Sequence, residues 1–144
     1  MQTVTASALV AYSSQQMFDL VNDVEAYPQF MPGCVGARIL LKGDGWVEAE
    51  LRLHKSGFNQ SFTTRNQLSP PGLIHMQLLD GPFSHLEGFW RFKSLSELAC
   101  KVEFELNFEL QNRFLQMATG KMFASISQQQ VDAVCRRAEA IYSV

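Results

Sequence analysis

The pattern that most constrains the fold is a run of six strand-like segments between residues 34 and 110. Strong turn signals separate several of them: Gly-Asp-Gly at 43–45, Pro-Pro-Gly at 70–72 and Asp-Gly-Pro at 80–82. The last segment is the clearest, because polar residues alternate without error with Val102, Phe104, Leu106, Phe108 and Leu110. A period of two is typical of a strand with one buried face, and short turns join antiparallel neighbours. The pattern predicts antiparallel strands at 34–41, 46–54, 58–68, 73–79, 84–93 and 102–110.

A long segment without proline follows the strands at residues 113–142. Its apolar residues recur at steps of three or four positions, or multiples of them: Phe114, Ala118, Met122, Ile126, Val134, Ala138 and Ile141. This spacing predicts an amphipathic helix, for which Asn112 is a good N-cap. Gly120 weakens the helix by about 1 kcal/mol relative to alanine. No other predicted element is long enough to cover the apolar face of the sheet.

The N-terminal part of the chain predicts one strand and two short helices. Residues 2–11 are rich in β-branched and small residues, which favour a strand. Ser14 can accept a hydrogen bond from an orphan backbone N–H and so cap a helix at 15–22. Asp23 can cap a second, very short helix in the same way.

Two prolines, Pro28 and Pro32, interrupt the chain after these helices. Proline disfavours helix at the residue before it and cannot donate a backbone hydrogen bond. The residues around them, Tyr27, Phe30 and Met31, are too apolar for an ordinary surface loop. We therefore expect them either to pack in the core or to line a cavity.

Taken together, these elements predict an α+β fold in one domain, residues 1–144. A curved antiparallel sheet of about seven strands wraps around the long C-terminal helix, and two short helices follow strand one. Such a sheet cannot pack its whole face against one cylinder. The remaining volume is expected to be an apolar cavity, closed at one end by the two short helices.

Composition excludes several classes of function. The chain carries 14 acidic and 12 basic residues, a net charge of −2, which gives no support to general binding of nucleic acid or of anionic membranes, and we expect no DNA partner. The 11 phenylalanines indicate a bulky apolar interior or pocket. The cysteines, Cys34, Cys100 and Cys135, form no Cys-x-x-Cys motif, so neither a disulfide framework nor a metal site is expected.

The same data bear on location. No apolar run approaches the 18 or so residues of a membrane span, and the N-terminus lacks the pattern of a secretory signal. We expect a cytoplasmic protein, and any membrane contact to be peripheral.

Catalytic chemistry has no visible basis in the sequence, and we assign no catalytic residue and no cofactor. Motifs such as Gly-x-Ser-x-Gly and His-Glu-x-x-His are absent. His54 and His85 fall on the polar side of their strands, whereas His75 is ambiguous. Asp19, Asp23 and Glu25 fit helix capping and dipole complementation better than an acidic catalytic cluster.

One polar group on an apolar strand face allows two interpretations. Gln60, Thr64 and Asn66 share the parity of Phe62 on the strand at 58–68. Buried polar groups need partners. These side chains either satisfy one another and the backbone or bind the polar head of an apolar ligand. On the opposite parity, Arg65 lies near Arg52, Glu48 and Glu50, which favours a solvated ion-pair face over a basic patch.

Four blocks of sequence resemble the helix-grip superfamily, also called START-like or Bet v 1-like. They are LVAYSSQQMFDLVNDVEAYPQFMPGC at 9–34, FTTRNQL at 62–68, LLDGPFSHLEGFWRF at 78–92 and RRAEAIY at 136–142. Within the superfamily they are most similar to the polyketide cyclase/coenzyme-Q-binding START family, and there to the RatA-type ribosome association toxins. Because the blocks cover nearly the whole chain in order, the resemblance is specific.

The resemblance implies a non-enzymatic protein that binds a hydrophobic small molecule, a quinone such as ubiquinone or another isoprenoid or lipid, and supports respiration. Its RatA-type branch implies the alternative of a regulator that binds the large ribosomal subunit and blocks subunit joining. A cyclase-like enzyme is a third alternative. A ribosomal contact has candidate cations on the last helix, Arg113, Lys121, Arg136 and Arg137.

We expect the ligand to contact apolar residues of the sheet, the long helix and the proline segment. These residues are Tyr27, Phe30, Met31, Pro32, Leu51, Phe62, Thr64, Met76, Trp90, Phe104, Leu106, Phe108, Met122 and Ile126. The first four are predicted to form one rim of the cavity entrance, opposite Met122 and Ile126. No metal ligand is expected among them.

Overall fold

A seven-stranded antiparallel sheet and one long helix make up most of the molecule. The computed structural model describes residues 1–55, 58–111 and 113–143; at 58, 113–124 and 126 it describes the backbone alone. The strands are β1 (Gln2–Val10), β2 (Cys34–Gly43), β3 (Trp46–Lys55), β4 (Phe58–Ser69), β5 (Leu73–Asp80), β6 (Phe83–Ser96) and β7 (Ala99–Leu110). The helices are α1 (Ser14–Asn22), a 3-10 helix (Val24–Gln29) and α2 (Arg113–Tyr142).

The strand order is β1-β7-β6-β5-β4-β3-β2, with every neighbouring pair antiparallel. Six consecutive strands thus form the predicted meander. β1 joins it at the far edge, where Ala6 pairs with Phe104 of β7. The predicted α+β helix-grip architecture is confirmed, including the two short helices after β1. The predicted N-cap of α2, Asn112, lies outside the described residues.

The core lies between the inner face of the sheet and α2. The alternation in β7 is reproduced in the burial of Val102, Phe104 and Phe108, whose side chains point inward. α2 packs against β1 and β7, and Val131, Val134, Ala138 and other apolar residues on its described half are buried there. α1 closes one end of this core, where the ring of Phe18 meets that of Phe92 edge-on.

Helix α1 begins one residue earlier than the sequence indicates. Its N-cap is Ser13, whose hydroxyl accepts a hydrogen bond from the backbone N–H of Gln16 at 3.1 Å. The Gln16 side chain in turn accepts from the Ser13 N–H at 2.9 Å, which completes a capping box. The expectation for Ser14 was wrong because that residue is buried inside the first turn. The expectation for Asp23 was wrong as well, since its side chain makes no capping bond to the 3-10 helix.

Replacing Ser13 with alanine should lower the free energy of unfolding by about 1 kcal/mol, because the Gln16 N–H loses its acceptor. Urea denaturation measures the loss. Gln15→Ala is the matched control, since its side chain bonds only to exposed Asp19 on the same helix. An equal loss in both variants would contradict the capping role.

Ion pairs cover the outer face of the sheet. Arg65 donates to Glu48 through Nε at 2.9 Å, and Arg38 donates to Glu50 at 3.0 Å. The predicted ion-pair face around Glu48 and Glu50 is confirmed at these two pairs. Exposed pairs of this kind contribute little to stability, about 0–1 kcal/mol each. No helix in the described part of the chain is long and apolar enough to cross a membrane.

Candidate functional site

A cavity of about 80 Å³ lies between the inner face of the sheet, α2 and the 3-10 helix. Most of its wall is apolar. The lining residues are Tyr27, Met31, Cys34, Leu51, Leu53, Phe62, Thr64, Met76, Phe83, Leu86, Gly88, Trp90, Phe104, Leu106, Ser127 and Gln130. Ligand pockets usually occupy about 300–1,000 Å³, so a long ligand requires this cavity to expand.

The sheet wall of the cavity follows from the period of two. Leu51 and Leu53 of β3 share one parity, as do Phe62 and Thr64 of β4, and the same holds in β6 and β7. Gly88 of β6 leaves room at the centre of this wall. A Cβ at that position would lie 2.5 Å from Cε of Met76, so the methyl group of Met76 occupies the space above the glycine.

The 3-10 helix contributes Tyr27 to the cavity wall, and Met31 follows two residues after the helix ends. The Tyr27 hydroxyl is buried and donates to the backbone oxygen of Val21. The Met31 N–H bonds to the Tyr27 oxygen at 2.8 Å, which keeps both side chains on the same turn. Gly33, with a φ of 77°, then allows the chain to turn into β2.

Burial raises the pKa of Tyr27 well above that of a free tyrosine, and the nearby Cys34 and Asp23 raise it further. The folded state keeps this proton at a pH where the unfolded chain, with a tyrosine pKa of about 10, loses it. The stability that the protonated Tyr27 hydroxyl contributes is therefore fully present below about pH 10. It is lost as the pH rises towards the pKa of the folded state.

We expect Tyr27→Phe to lower unfolding free energy by about 1 kcal/mol at neutral pH, because the Val21 oxygen loses a donor. Above about pH 10 the variant should lose stability less steeply than the wild type. Urea denaturation at pH 7 and at several values above 9.5 tests this. Parallel pH profiles of the two proteins would contradict it.

The polar groups of the cavity wall are few. The hydroxyl of Thr64 donates to Oδ1 of Asn66, which lies two residues along β4, at 2.8 Å. Ser127 and Gln130 are contributed by α2. Among the side chains that the structure describes, none that lines the cavity carries a formal charge. The cavity can therefore hold a neutral, mainly apolar molecule without leaving a buried charge unpaired.

Nine of the predicted ligand residues line the cavity: Tyr27, Met31, Leu51, Phe62, Thr64, Met76, Trp90, Phe104 and Leu106. The side chains of Met122 and Ile126 lie outside the described residues. Phe108 is fully buried and does not line the cavity, and neither does Pro32.

Phe30 also lies away from the cavity wall. Its ring meets Tyr27 edge-on, with 5.8 Å between centroids, and the Arg137 guanidinium of α2 lies 5.2 Å from the ring centre. Arg137 donates as well to Gln29 at 3.3 Å. These contacts tie the end of the 3-10 helix to α2.

The remaining lining residues were not predicted. Cys34, Leu53, Phe83, Leu86 and Gly88 lie on strands, and Ser127 and Gln130 lie on α2. The parity of β3 and β6 could have found Leu53, Leu86 and Gly88. By contrast, Ser127 and Gln130 carry no apolar signal, and their position depends on how α2 is rotated against the sheet.

The histidines lie away from the cavity wall. His54 and His85 are exposed, and His75 is stacked on Phe89 and bonded through Nε2 to Glu87 at 2.9 Å. Within the described ranges, no group of three or more His, Cys, Asp or Glu residues is placed to hold a metal ion.

Comparison with protein-family models matches residues 10–135 to the family described as "Polyketide cyclase / dehydrase and lipid transport". The chain belongs to this family. The match spans most of the chain, and the resemblance inferred from the four sequence blocks is confirmed.

Two curated relatives carry functional names. The "Ribosome association toxin RatA" of Escherichia coli K12 is 46% identical over 143 residues, which cover 99% of this chain and 90% of the relative. The "Coenzyme Q-binding protein COQ10, mitochondrial" of Drosophila melanogaster is 29% identical, over 90% of this chain and 55% of that protein. Neither name states a reaction.

Among solved structures, the Zhui aromatase/cyclase from Streptomyces has the same fold. Its TM-score is 0.90, with 99% of this chain and 96% of that chain covered, at 19% identity. At that identity the likeness concerns the fold alone. The architecture of this chain therefore also occurs in an enzyme, and the fold by itself does not assign a function.

Proposed function

We propose that this protein is a non-catalytic regulator that associates with ribosomes, as the name of its RatA relatives states. The observation that supports it is the 46% identity to the Escherichia coli toxin over 99% of the chain. The specific action we propose is binding to the large ribosomal subunit in a way that blocks joining of the small subunit.

The charge of the chain bears on how such a contact forms. A net charge of −2 gives little long-range attraction to RNA, so binding has to rest on local groups. Arg136 of α2 is exposed, whereas Arg137 already contacts Phe30 and Gln29. The side chains of Arg113 and Lys121 lie outside the described residues. Arg136 is therefore the cation of α2 whose replacement is most informative.

We expect excess purified protein to co-sediment with large subunits in a sucrose gradient and to lower the ratio of joined to free subunits. Arg136→Glu should weaken both effects, because it reverses the exposed charge on α2 that we propose contacts the ribosome. Lys42→Glu, which reverses an exposed charge on β2, is the matched control. A protein that stays at the top of the gradient and leaves the ratio unchanged would overturn the proposal.

The apolar cavity supports a second function, the binding of a neutral hydrophobic molecule such as a quinone or another isoprenoid. The supporting observation is its wall, which is mainly apolar and has no charged side chain among the residues described. The two functions do not exclude each other, because the cavity is internal and Arg136 lies on the surface.

Tryptophan fluorescence offers a direct test of the cavity. Trp90 lines it, whereas Trp46 lies on the outer face beneath the Arg65 guanidinium, 4.5 Å from the ring centre. A bound quinone should quench Trp90, so Trp46→Phe should keep the quenching and Trp90→Phe should lose it. Quenching that survives in Trp90→Phe and disappears in Trp46→Phe would move the ligand to the outer face.

A further inference from the structure

A polar pair on β4 interrupts the apolar inner face of the sheet. Thr64 and Asn66 are each 5% exposed, and both point to the side covered by α2. The Thr64 hydroxyl donates to Oδ1 of Asn66 at 2.8 Å. This bond fixes the orientation of the amide, because it uses the carbonyl oxygen as the acceptor.

The pair leaves hydrogen-bonding capacity unused. The Thr64 hydroxyl has one donor, which is used in the bond to Asn66. The Asn66 amide nitrogen has two further donors, and no hydrogen bond joins it to another of the described side chains or backbone groups. Among the described residues no fully enclosed side-chain nitrogen or oxygen lacks a partner, so the Asn66 nitrogen is accessible rather than sealed in the core. Its free donors can therefore bond to a partner from outside the chain.

The pair lies at the cavity wall. Thr64 lines the cavity, and Asn66 is two residues along the same strand, about 6.7 Å away. The cross-strand partner of Asn66 on β5 is Met76, which also lines the cavity. Its methyl group lies over Gly88, and an unbranched thioether changes rotamer readily. Movement of this flexible side chain would open the cavity towards the amide.

The chemistry of the wall limits what the head of the ligand can be. The described lining residues carry no charge, so an anionic head would have no cationic partner among them. An amide N–H is a donor and requires an acceptor. We propose that Asn66, oriented by Thr64, is the subsite that binds a carbonyl oxygen on the head of a neutral apolar ligand. This inference rests on the proposed binding of a hydrophobic ligand in the cavity.

Two probes of similar shape test the subsite, 1,4-naphthoquinone, which has carbonyl acceptors, and naphthalene, which has none. Titration calorimetry gives the dissociation constant of each. In Asn66→Leu we expect the quinone to bind about tenfold more weakly, as one lost hydrogen bond predicts, and naphthalene to change by less than about twofold. Gln67→Leu, the exposed neighbour on the outer face, is the matched control and should alter neither constant.

Thr64→Val keeps the shape of the side chain and removes the bond that orients the amide. It should weaken quinone binding about threefold without affecting naphthalene, and it decides the question if Asn66→Leu does not fold. Equal changes for both probes, or none, would overturn the subsite while leaving cavity binding in place. A wild-type protein that binds neither probe would overturn the cavity proposal itself.

Discussion

Phe108→Ala should lower the free energy of unfolding by about 3–5 kcal/mol, among the largest losses expected from one substitution in this chain. Phe108 is fully buried on the inner face of β7, between Gln2 of β1 and Leu86 of β6 in the register of the sheet. Neighbouring strands cannot close around the missing ring, so the variant retains a void as well as losing the burial of the ring. Urea denaturation with a two-state analysis measures the loss.

The stability loss of Phe30→Ala should be compared with that of Phe108→Ala. The Phe30 ring is half-buried and contacts Tyr27 and the Arg137 guanidinium. Contacts of these two kinds contribute about 1–2 kcal/mol together, so we expect a smaller loss than for Phe108. If Phe30 forms the rim of the entrance, the variant should also release ligand faster. A loss of 3 kcal/mol or more with unchanged ligand affinity would make Phe30 a core residue.

The sheet and the long helix could be predicted because their signals are local and redundant. Every inward residue of β7 indicates the same buried face, and the turn residues separate one strand from the next. The pairing of β1 with β7 is different, since the two strands lie about 100 residues apart in the chain. Local signals gave about seven strands in one sheet but did not predict which strand pairs with β1.

The exact start of α1 shows where local reasoning fails. Ser13 and Ser14 are adjacent, and both can cap a helix by their side-chain chemistry. Two features select Ser13 as the cap: the Gln16 side chain accepts a hydrogen bond from the Ser13 N–H, and Ser14 is buried. The second of these depends on how α1 packs on the sheet, which neighbouring residues do not encode.

The cavity wall could be predicted only in part. Strand parity predicted Leu51, Phe62 and Trp90 because inward residues of a curved sheet face a common volume. Parity also selected Phe108, which is inward but lies where the core is filled. Which inward residues meet open space depends on the curvature of the sheet and the position of α2, and a single sequence does not specify either.

Gly88→Val should abolish measurable binding of 1,4-naphthoquinone in the cavity, or weaken it by at least about tenfold. A Cβ at this position already lies 2.5 Å from Met76 Cε and 3.5 Å from Leu106 Cδ1. The branched side chain therefore fills part of a volume of only about 80 Å³ and pushes Met76 into the rest. Overpacking costs about 1–3 kcal/mol, which the better strand propensity of valine partly offsets, so the protein should still fold.

Gly36→Val is the matched control for Gly88→Val, because it makes the same change in strand β2, away from the cavity wall. Its Cβ would lie 3.5 Å from Cβ of Arg52, an ordinary contact, so the new side chain fits. Calorimetry should find wild-type affinity in this variant. If Gly88→Val also binds the quinone with wild-type affinity, the ligand does not occupy the cavity. The role of this fold would then lie at its surface, where the proposed contact with the ribosome has to form.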